Sequence, residues 1–323
     1  MKAALLINRE NFEKYSRWED VGWELLHMGN AAPVAGDVAA TGADALVVDA
    51  IMKIGPDIIE RMPGLKLVHS QGVAYNGIDL ESARKSGVFV CNCAGINARP
   101  VAEHAVLLML AVLKGFRHNE DMVYADKQME AKTACFREGL PELYGRRVGI
   151  VGFGAIGKAL ASVLAPFGCE VCYFTRSGDR GVEGASFVSL EELYETCDIV
   201  SLHVPVSPET ERMINRETLM SFKSGAILIN TARGELMDHA AVAEALVSGR
   251  LGGLGADTLA PEPYLPDNPL IFGLPGDVRK RVALAPHIAG ITAGTFIRAY
   301  RMIRANIEAV ESGRRPECVV NGL

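Results

Sequence analysis

Along the first 97 residues, short aliphatic runs alternate with stretches whose apolar positions recur every three to four residues. "KAALLIN", "ALVVDA", "LKLVHS" and "GVFVCN" read as strands, because they are short, apolar and flanked by turn-forming residues. "WEDVGWELLHMG" and "GPDIIERM" carry helical spacing. This βαβα order predicts a parallel sheet covered by helices on both faces. Past residue 97 the rhythm changes to one long predicted helix, "RPVAEHAVLLMLAVLKGFRHNEDMVYADK", with Pro100 in its first turn. A second strand series then runs through "RVGIVGFG", "EVCYFT", "DIVSLHV", "AILINTA", "GLGADTL" and "RVALAPH". The helical pattern "AGTFIRAYRMIRANIEAVESG" follows it.

The first strand of the second series leads straight into "GFGAIG", where Gly152, Gly154 and Gly157 match G-x-G-x-x-G, and into the helical "KALASVLAPF". The pattern alone is weak, since glycine turns are common. Strand before and helix after is the context in which it cradles a dinucleotide pyrophosphate against a helix N-terminus. The chain therefore reads as α/β with two domains. A Rossmann-type dinucleotide-binding domain at 98–288 is inserted into a flavodoxin-like substrate-binding domain formed by 1–97 and 289–323. Neither crossover is a Gly/Ser linker, which suggests a packed hinge around a cleft.

With 323 residues and 49% hydrophobic content, two such cores can be filled. A net charge of −6 argues against a nucleic-acid surface. The longest apolar run, "AVLLMLAVL", is far short of a membrane span, and the N-terminus reads as a strand rather than a signal peptide. Seven cysteines, an odd count, do not suggest a disulfide framework, so a reducing cytoplasm is expected. Cys91 and Cys93 could suggest a metal, but no second ligand pair follows, and thiols ending a buried strand are the simpler reading. No metal is expected.

"EVCYFTRSGDR" departs from the usual nucleotide site. About 20 residues past the glycines an Asp or Glu normally grips the adenosine ribose. Here Thr175, Arg176 and Ser177 stand at that place. A hydroxyl and a cation there suit the 2′-phosphate of NADP, with Arg180 within reach of the same phosphate. The alternative leaves Arg176 in solvent, with Asp179 or Glu183 serving the ribose of NAD. The expected cofactor is NADP, with NAD possible.

Four further residues fall on loops at the carboxyl ends of strands, where open α/β sheets bind ligands. Arg233 in "ILINTARGEL" could clamp a carboxylate, although such an Arg serves as readily in a surface ion pair. His287 in "ALAPHIAG" could be a structural histidine or an acid–base group. "DTLAPEPYLPDNPL" supplies Asp257 and, in a proline-stiffened loop, Glu262. Together they are the equipment for reducing a 2-keto acid: an anion clamp, a proton donor and a carboxylate to orient it.

Seven segments in order resemble the D-isomer-specific 2-hydroxyacid dehydrogenase family over nearly the whole chain. They are "SQGVAYNGIDL", "NARPVAEHAVLLMLAVLK", "LYGRRVGIVGFGAIGKALA", "HVPVSPETERMIN", "NTARGELMD", "GADTLAPEP" and "APHIAG". The resemblance implies that Arg233 binds the substrate carboxylate, that Glu262 pairs with His287, and that His287 transfers the proton. It implies that Asp257 contacts the nicotinamide carboxamide and that backbone amides around Gly72 and Val73 share the substrate carboxylate. It extends the cofactor set to Ala155 and Ile156, to His203 and Pro205 of "HVPVSPETERMIN", and to Thr231 of "NTARG". It also implies a homodimer, built partly by an arm at about residues 117–143.

There are departures. Related phosphoglycerate dehydrogenases carry an Arg near the place of Asp49, whose charge would repel a substrate phosphate. The chain is expected to lack the regulatory domain of longer relatives, given the ending "PECVVNGL", and "PLIFGLPGDVRKRVALAP" reads as longer than usual, its Arg279, Lys280 and Arg281 as solvated charge. Met52 and Tyr75 are candidates for shaping the substrate pocket. The sequence leaves glyoxylate, hydroxypyruvate and larger 2-keto acids open as substrates. Two other readings share the fold: a dinucleotide-sensing, corepressor-like binding module, and a hydrolase with a trapped cofactor. The complete Arg–Glu–His set favours the dehydrogenase.

Overall fold

Twelve strands pair in parallel throughout, forming two separate sheets. The computed structural model describes all 323 residues and divides them into two units, Met1–Asn97 with Ile291–Leu323, and Ala98–Gly290. The first holds β1 (Lys2–Leu6), β2 (Glu24–His27), β3 (Ala45–Val48), β4 (Leu67–Ser70) and β5 (Phe89–Cys91), in the order β2-β1-β3-β4-β5. That is the flavodoxin-like order. The second holds β6 (Arg147–Val151), β7 (Glu170–Phe174), β8 (Ser186–Phe187), β9 (Ile199–Leu202), β10 (Ala226–Asn230), β11 (Leu251–Ala256) and β12 (Val282–Leu284). Their order, β12-β11-β10-β9-β6-β7-β8, contains the Rossmann arrangement with one strand added at the β11 edge.

Strand periodicity explains the cores. Along β10, Leu228 enters the core on one face, while Ile227 and Ile229 enter the other, packing with the helices Ala98–Leu113 and Ala155–Leu164. In the first unit, Ala4 and Leu6 of β1 face one core, and Ala3 and Leu5 face another that includes Tyr300 and Ile303 of the helix Ala293–Glu311. Each fully buried Leu or Ile contributes about 1.5–3 kcal/mol. Both sheets thus read as continuous apolar runs.

Two predicted helices are corrected. "WEDVGWELLHMG" is not helical: it contains β2, with Leu25 and Leu26 packing on opposite faces of the sheet. The helical spacing of its apolar residues reflects an aromatic cluster instead. Trp18 meets Phe12 edge-on at 5.1 Å and Trp23 at 5.6 Å, and its indole donates to the Tyr300 carbonyl. The long helix after residue 97 is broken. Ala98–Leu113 ends before Gly115, whose φ of +52° is left-handed, and the helices Phe116–Tyr124 and Gln128–Glu138 follow. Cys91 and Cys93 are buried, and burial pushes both thiols up to about 12.

Candidate active site

At the carboxyl end of β6 the glycine loop is shaped by what surrounds it. Gly152 has a φ of +95°, and a Cβ on it would lie 2.5 Å from the His203 carbonyl oxygen. A Cβ on Gly157 would lie 2.3 Å from the Gly152 carbonyl oxygen, so helix and strand touch there. Gly154 caps the helix Ala155–Leu164, and nothing stands within 4 Å of the place its Cβ would take. The amides of Ala155 and Ile156, in the first turn, lack intrahelical acceptors, and no side chain caps them. A pyrophosphate fits the cradle.

Around it are two orphaned polar atoms. Thr231 Oγ1, just past β10, is buried without a partner. His203, just past β9, shares a hydrogen bond between Nε2 and Ser201 Oγ at 2.8 Å, while its Nδ1 is enclosed and unpaired. Loss of hydration lowers its pKa to about 4, so the ring is neutral at physiological pH. The Pro205 carbonyl accepts from Thr210 Oγ1 at 2.7 Å, which pins the exposed loop after His203.

Beyond β7, Thr175 Oγ1 and Ser177 Oγ lie 3.2 Å apart, and Arg180 Nη2 donates to Ser177 Oγ. Arg176 is mostly exposed, its Nη1 4.0 Å from Glu209 Oε2. Asp179 is turned away from this group: its Oδ1 accepts from Tyr173 OH at 2.6 Å and from the Gly181 amide at 2.9 Å.

The three catalytic candidates stand past adjacent strands. β10 pairs with β11 and β11 with β12, so their carboxyl ends present Arg233, the 257–262 segment and His287 side by side. The Asn230 side chain, fully buried, builds the first turn: its Nδ2 donates to the Arg233 carbonyl at 2.7 Å, and its Oδ1 accepts the Ala232 amide. A Cβ on Gly234 would lie 2.2 Å from the Ala260 nitrogen, so this turn abuts the next loop. Arg233 is exposed, with one Nη1–H given to the Ala232 carbonyl and its other donors free.

His287 Nδ1 lies 2.8 Å from Glu262 Oε2. That bond places the Nδ1 proton on the Glu262 side and leaves Nε2 for chemistry. His287 itself has a left-handed φ of +57°. Asp257, 1% exposed, accepts the amides of Ile288 and Ala289 on its two carboxylate oxygens, each at 2.9 Å. In this structure it fixes the His287 loop.

In the first unit, the loop after β4 is pinned from below. Ser70 Oγ donates to the Ala74 carbonyl at 2.6 Å and accepts the Gly72 amide at 3.2 Å. Asn92 Nδ2 donates to the Val73 carbonyl at 2.7 Å. The Gly72 amide is therefore committed, while those of Val73 and Ala74 reach no protein acceptor. A Cβ on Gly72 would lie 2.8 Å from Ala50 Cβ, so Gly72 admits the loop after β3. On that loop Met52 is buried in the core and Ile51 is 86% exposed; Tyr75 is half-buried. The sequence does not single out Ala74 or Asn230, because only the hydrogen bonding shows which amides lack a protein acceptor and which side chain holds the turn.

The family model described as "D-isomer specific 2-hydroxyacid dehydrogenase, NAD binding domain" matches residues 106–289. A glyoxylate reductase of Korarchaeum cryptofilum is 33% identical over 327 residues, covering 99% of this chain and 96% of its own. An NAD-complexed D-isomer specific 2-hydroxyacid dehydrogenase from Lactobacillus delbrueckii ssp. bulgaricus superposes with a TM-score of 0.85 at 25% identity, covering 99% of this chain and 100% of its own. An acyclic imino acid reductase in complex with NADPH and D-Arg superposes with a TM-score of 0.76 at 27% identity, over 99% of this chain and 100% of its own. A sheet order, a glycine cradle and an Arg–Glu–His set at the carboxyl ends, carried by a chain this similar end to end, make it a member of the D-isomer-specific 2-hydroxyacid dehydrogenase family, an NAD(P)-dependent oxidoreductase of 2-keto and 2-hydroxy acids.

Proposed function

We propose that the protein reduces a small 2-keto acid to its D-2-hydroxy acid with NADPH, His287 handling the proton. The observation that carries this reading is the 2.8 Å contact between His287 Nδ1 and Glu262 Oε2. Glu262 takes the Nδ1 hydrogen bond and fixes the ring's orientation, so the protonated ring presents Nε2–H as the proton given to the carbonyl oxygen as it becomes a hydroxyl. In the reverse direction Nε2 takes that proton back. Arg233 pairs with the substrate carboxylate through its free donors. The amides of Val73 and Ala74, rather than Gly72, are the further donors offered to the substrate.

A nicotinamide dinucleotide, when bound, supplies the hydride. Gly152, Gly154, Ala155, Ile156 and Gly157 would hold its pyrophosphate, while His203, Pro205, Thr231 and Asp257 line the rest of the cofactor's path. Thr175, Arg176, Ser177 and Arg180 form a neutral-to-cationic group with Asp179 turned away, which supports NADP over NAD. The NADPH-bound imino acid reductase supports the same preference, and the NAD-bound dehydrogenase supports the other. The glyoxylate reductase of Korarchaeum cryptofilum makes glyoxylate the first substrate to try.

The protein acts as a homodimer in this reading. The helices Phe116–Tyr124 and Gln128–Glu138 expose Tyr124 and Phe136, which are 84% and 91% accessible and suit burial against a second copy. The cytoplasm is the proposed location, and no helix is long and apolar enough to cross a membrane. The decisive experiment is a 2-keto acid panel, from glyoxylate and hydroxypyruvate to larger members, run with NADPH and with NADH. Oxidation of NADPH by a small keto acid is expected, and no turnover with any member overturns the proposal. Turnover by the intact Arg–Glu–His set would also dispose of a purely cofactor-sensing role.

A further inference from the structure

The face of β11 turned toward the helix Ala98–Leu113 is stripped of side chains. A Cβ on Gly253 would stand 2.4 Å from Val112 Cγ1, and one on Gly255 would stand 2.8 Å from Leu108 Cβ. Two steps further along the chain comes Asp257, and one turn back along the helix comes His104. The strand repeats every two residues and the helix about every four, so the series 253, 255, 257 runs antiparallel to 112, 108, 104. The two glycines bring helix and strand together, and at the end of the contact His104 Nε2 lies 3.5 Å from Asp257 Oδ1.

Neither group has another side-chain partner. Asp257 is 1% exposed and has no other cationic neighbour within ion-pair distance. His104 Nε2 is enclosed and makes no hydrogen bond. Asp257 in turn governs three consecutive residues: its carbonyl accepts the His287 amide at 2.7 Å, and its carboxylate accepts those of Ile288 and Ala289. A left-handed residue needs such support, since that conformation is disfavoured outside glycine.

We propose that His104 is a positioning residue for proton transfer: its Nε2–H donates to Asp257 Oδ1 and so fixes the loop that carries His287. A contraction of about 0.5 Å brings the pair to ordinary hydrogen-bond length. The proposal rests on His287 being the proton-transfer group. It gives His104 no contact with substrate, so its loss acts on the chemical step and not on capture.

The test uses the full chain with the best keto acid of the panel, reading kcat, KM and, separately, NADPH affinity by fluorescence titration. His104→Phe removes the donor and keeps a ring; kcat is expected to fall about tenfold, with KM and NADPH affinity changed less than about twofold. His104→Gln, whose amide can donate from nearly the same place, is expected to recover most of that loss. Gly255→Ala, which forces helix from strand with His104 intact, is expected to reproduce the fall in kcat. An unchanged kcat in His104→Phe overturns the proposal, as does an equal loss in KM or NADPH affinity, or a Gln variant no better than Phe. Should His104→Phe not fold, the Gln and Gly255→Ala variants decide by the same kcat-against-KM criterion. His287→Asn is run alongside. If it still reduces keto acid, the reading of His287 fails; if it is dead while His104→Phe turns over normally, only the role of His104 fails.

Discussion

Tyr173 OH donates to Asp179 Oδ1 at 2.6 Å, and this contact turns a carboxylate away from the group past β7. The Tyr173 ring is held by stacking on Phe153 of the glycine loop, with centroids 3.8 Å apart. The Tyr173 oxygen also accepts the Arg180 amide at 2.7 Å, and the Arg180 guanidinium reaches Ser177. The Tyr173 hydroxyl and the Gly181 amide hold Asp179 below the usual carboxylate range, so it remains an acceptor for them. One phenol thus keeps the Asp179 carboxylate away from Thr175, Arg176 and Ser177.

Arg176→Ala should then raise KM for NADPH about ten- to a hundredfold, the scale of one charge-assisted phosphate contact, and change KM for NADH by less than about threefold. Glu209, 4.0 Å from Arg176 Nη1, is the group that competes for this cation. Initial rates with both cofactors measure the effect, and equal losses would show that Arg176 does not read the phosphate. Thr175→Asp should move the preference the other way.

The contact between His287 Nδ1 and Glu262 Oε2 predicts unequal losses at the two positions. His287→Asn removes the transferable proton, and kcat should fall about 10²- to 10⁴-fold. Glu262→Gln keeps an acceptor for Nδ1–H but turns a charge-assisted hydrogen bond into a neutral one, and about tenfold is expected. Stopped-flow NADPH oxidation with saturating keto acid checks both. A Glu262→Gln variant as impaired as His287→Asn would mean that Glu262 does more than orient the ring.

The placement of the candidate residues past strand ends was legible because it rests on short-range patterns. The three glycines of "GFGAIG" and the order of apolar runs fixed the Rossmann sheet, and the "NTARG", "APEP" and "PHIAG" segments lie past strands that form where expected. What escaped depends on contacts distant in sequence. Leu25 and Leu26 read as helix because Trp18, Val21 and Leu25 fall at helical spacing, although Trp18 answers to Phe12 and Tyr300. The break at Gly115 was visible as a glycine, yet the apolar pattern ran through it. The state of the Gly72 amide depends on the rotamer of Ser70, which sequence does not carry.

Gly149, in the middle of β6, is a packing requirement. A Cβ there would stand 2.5 Å from Leu193 Cγ and 2.8 Å from Cys197 Sγ, in the core. Gly149→Ala should destabilise the protein by about 1–3 kcal/mol through overpacking. Leu193→Ala alone should cost about 2–5 kcal/mol by leaving a cavity. The two together should cost less than their sum by more than about 0.5 kcal/mol, since each relieves the other. Urea unfolding gives all three values, and strict additivity would show that the strand moves to accommodate the methyl group.

Two enclosed histidines predict how stability depends on pH. His69 Nδ1 donates to the Ser70 carbonyl at 2.8 Å and its Nε2 accepts from Asn306 Nδ2 at 2.9 Å, the arrangement of a neutral ring. Burial lowers its pKa to about 4, as it does for His203 in the other unit. Both values lie below the ordinary 6.5, so the unfolded chain binds these protons first. The contribution of each ring is complete above about pH 6.5 and is lost as pH falls toward about 4, with a slope of about 1.4 kcal/mol per pH unit per histidine. Urea unfolding at pH 7.5 and at pH 5 should therefore differ by about 2 kcal/mol for each. His69→Gln should remove the slope it contributes and leave that of His203. A free energy of unfolding that stays flat between pH 6.5 and 4.5 would mean that neither ring is held neutral by the fold.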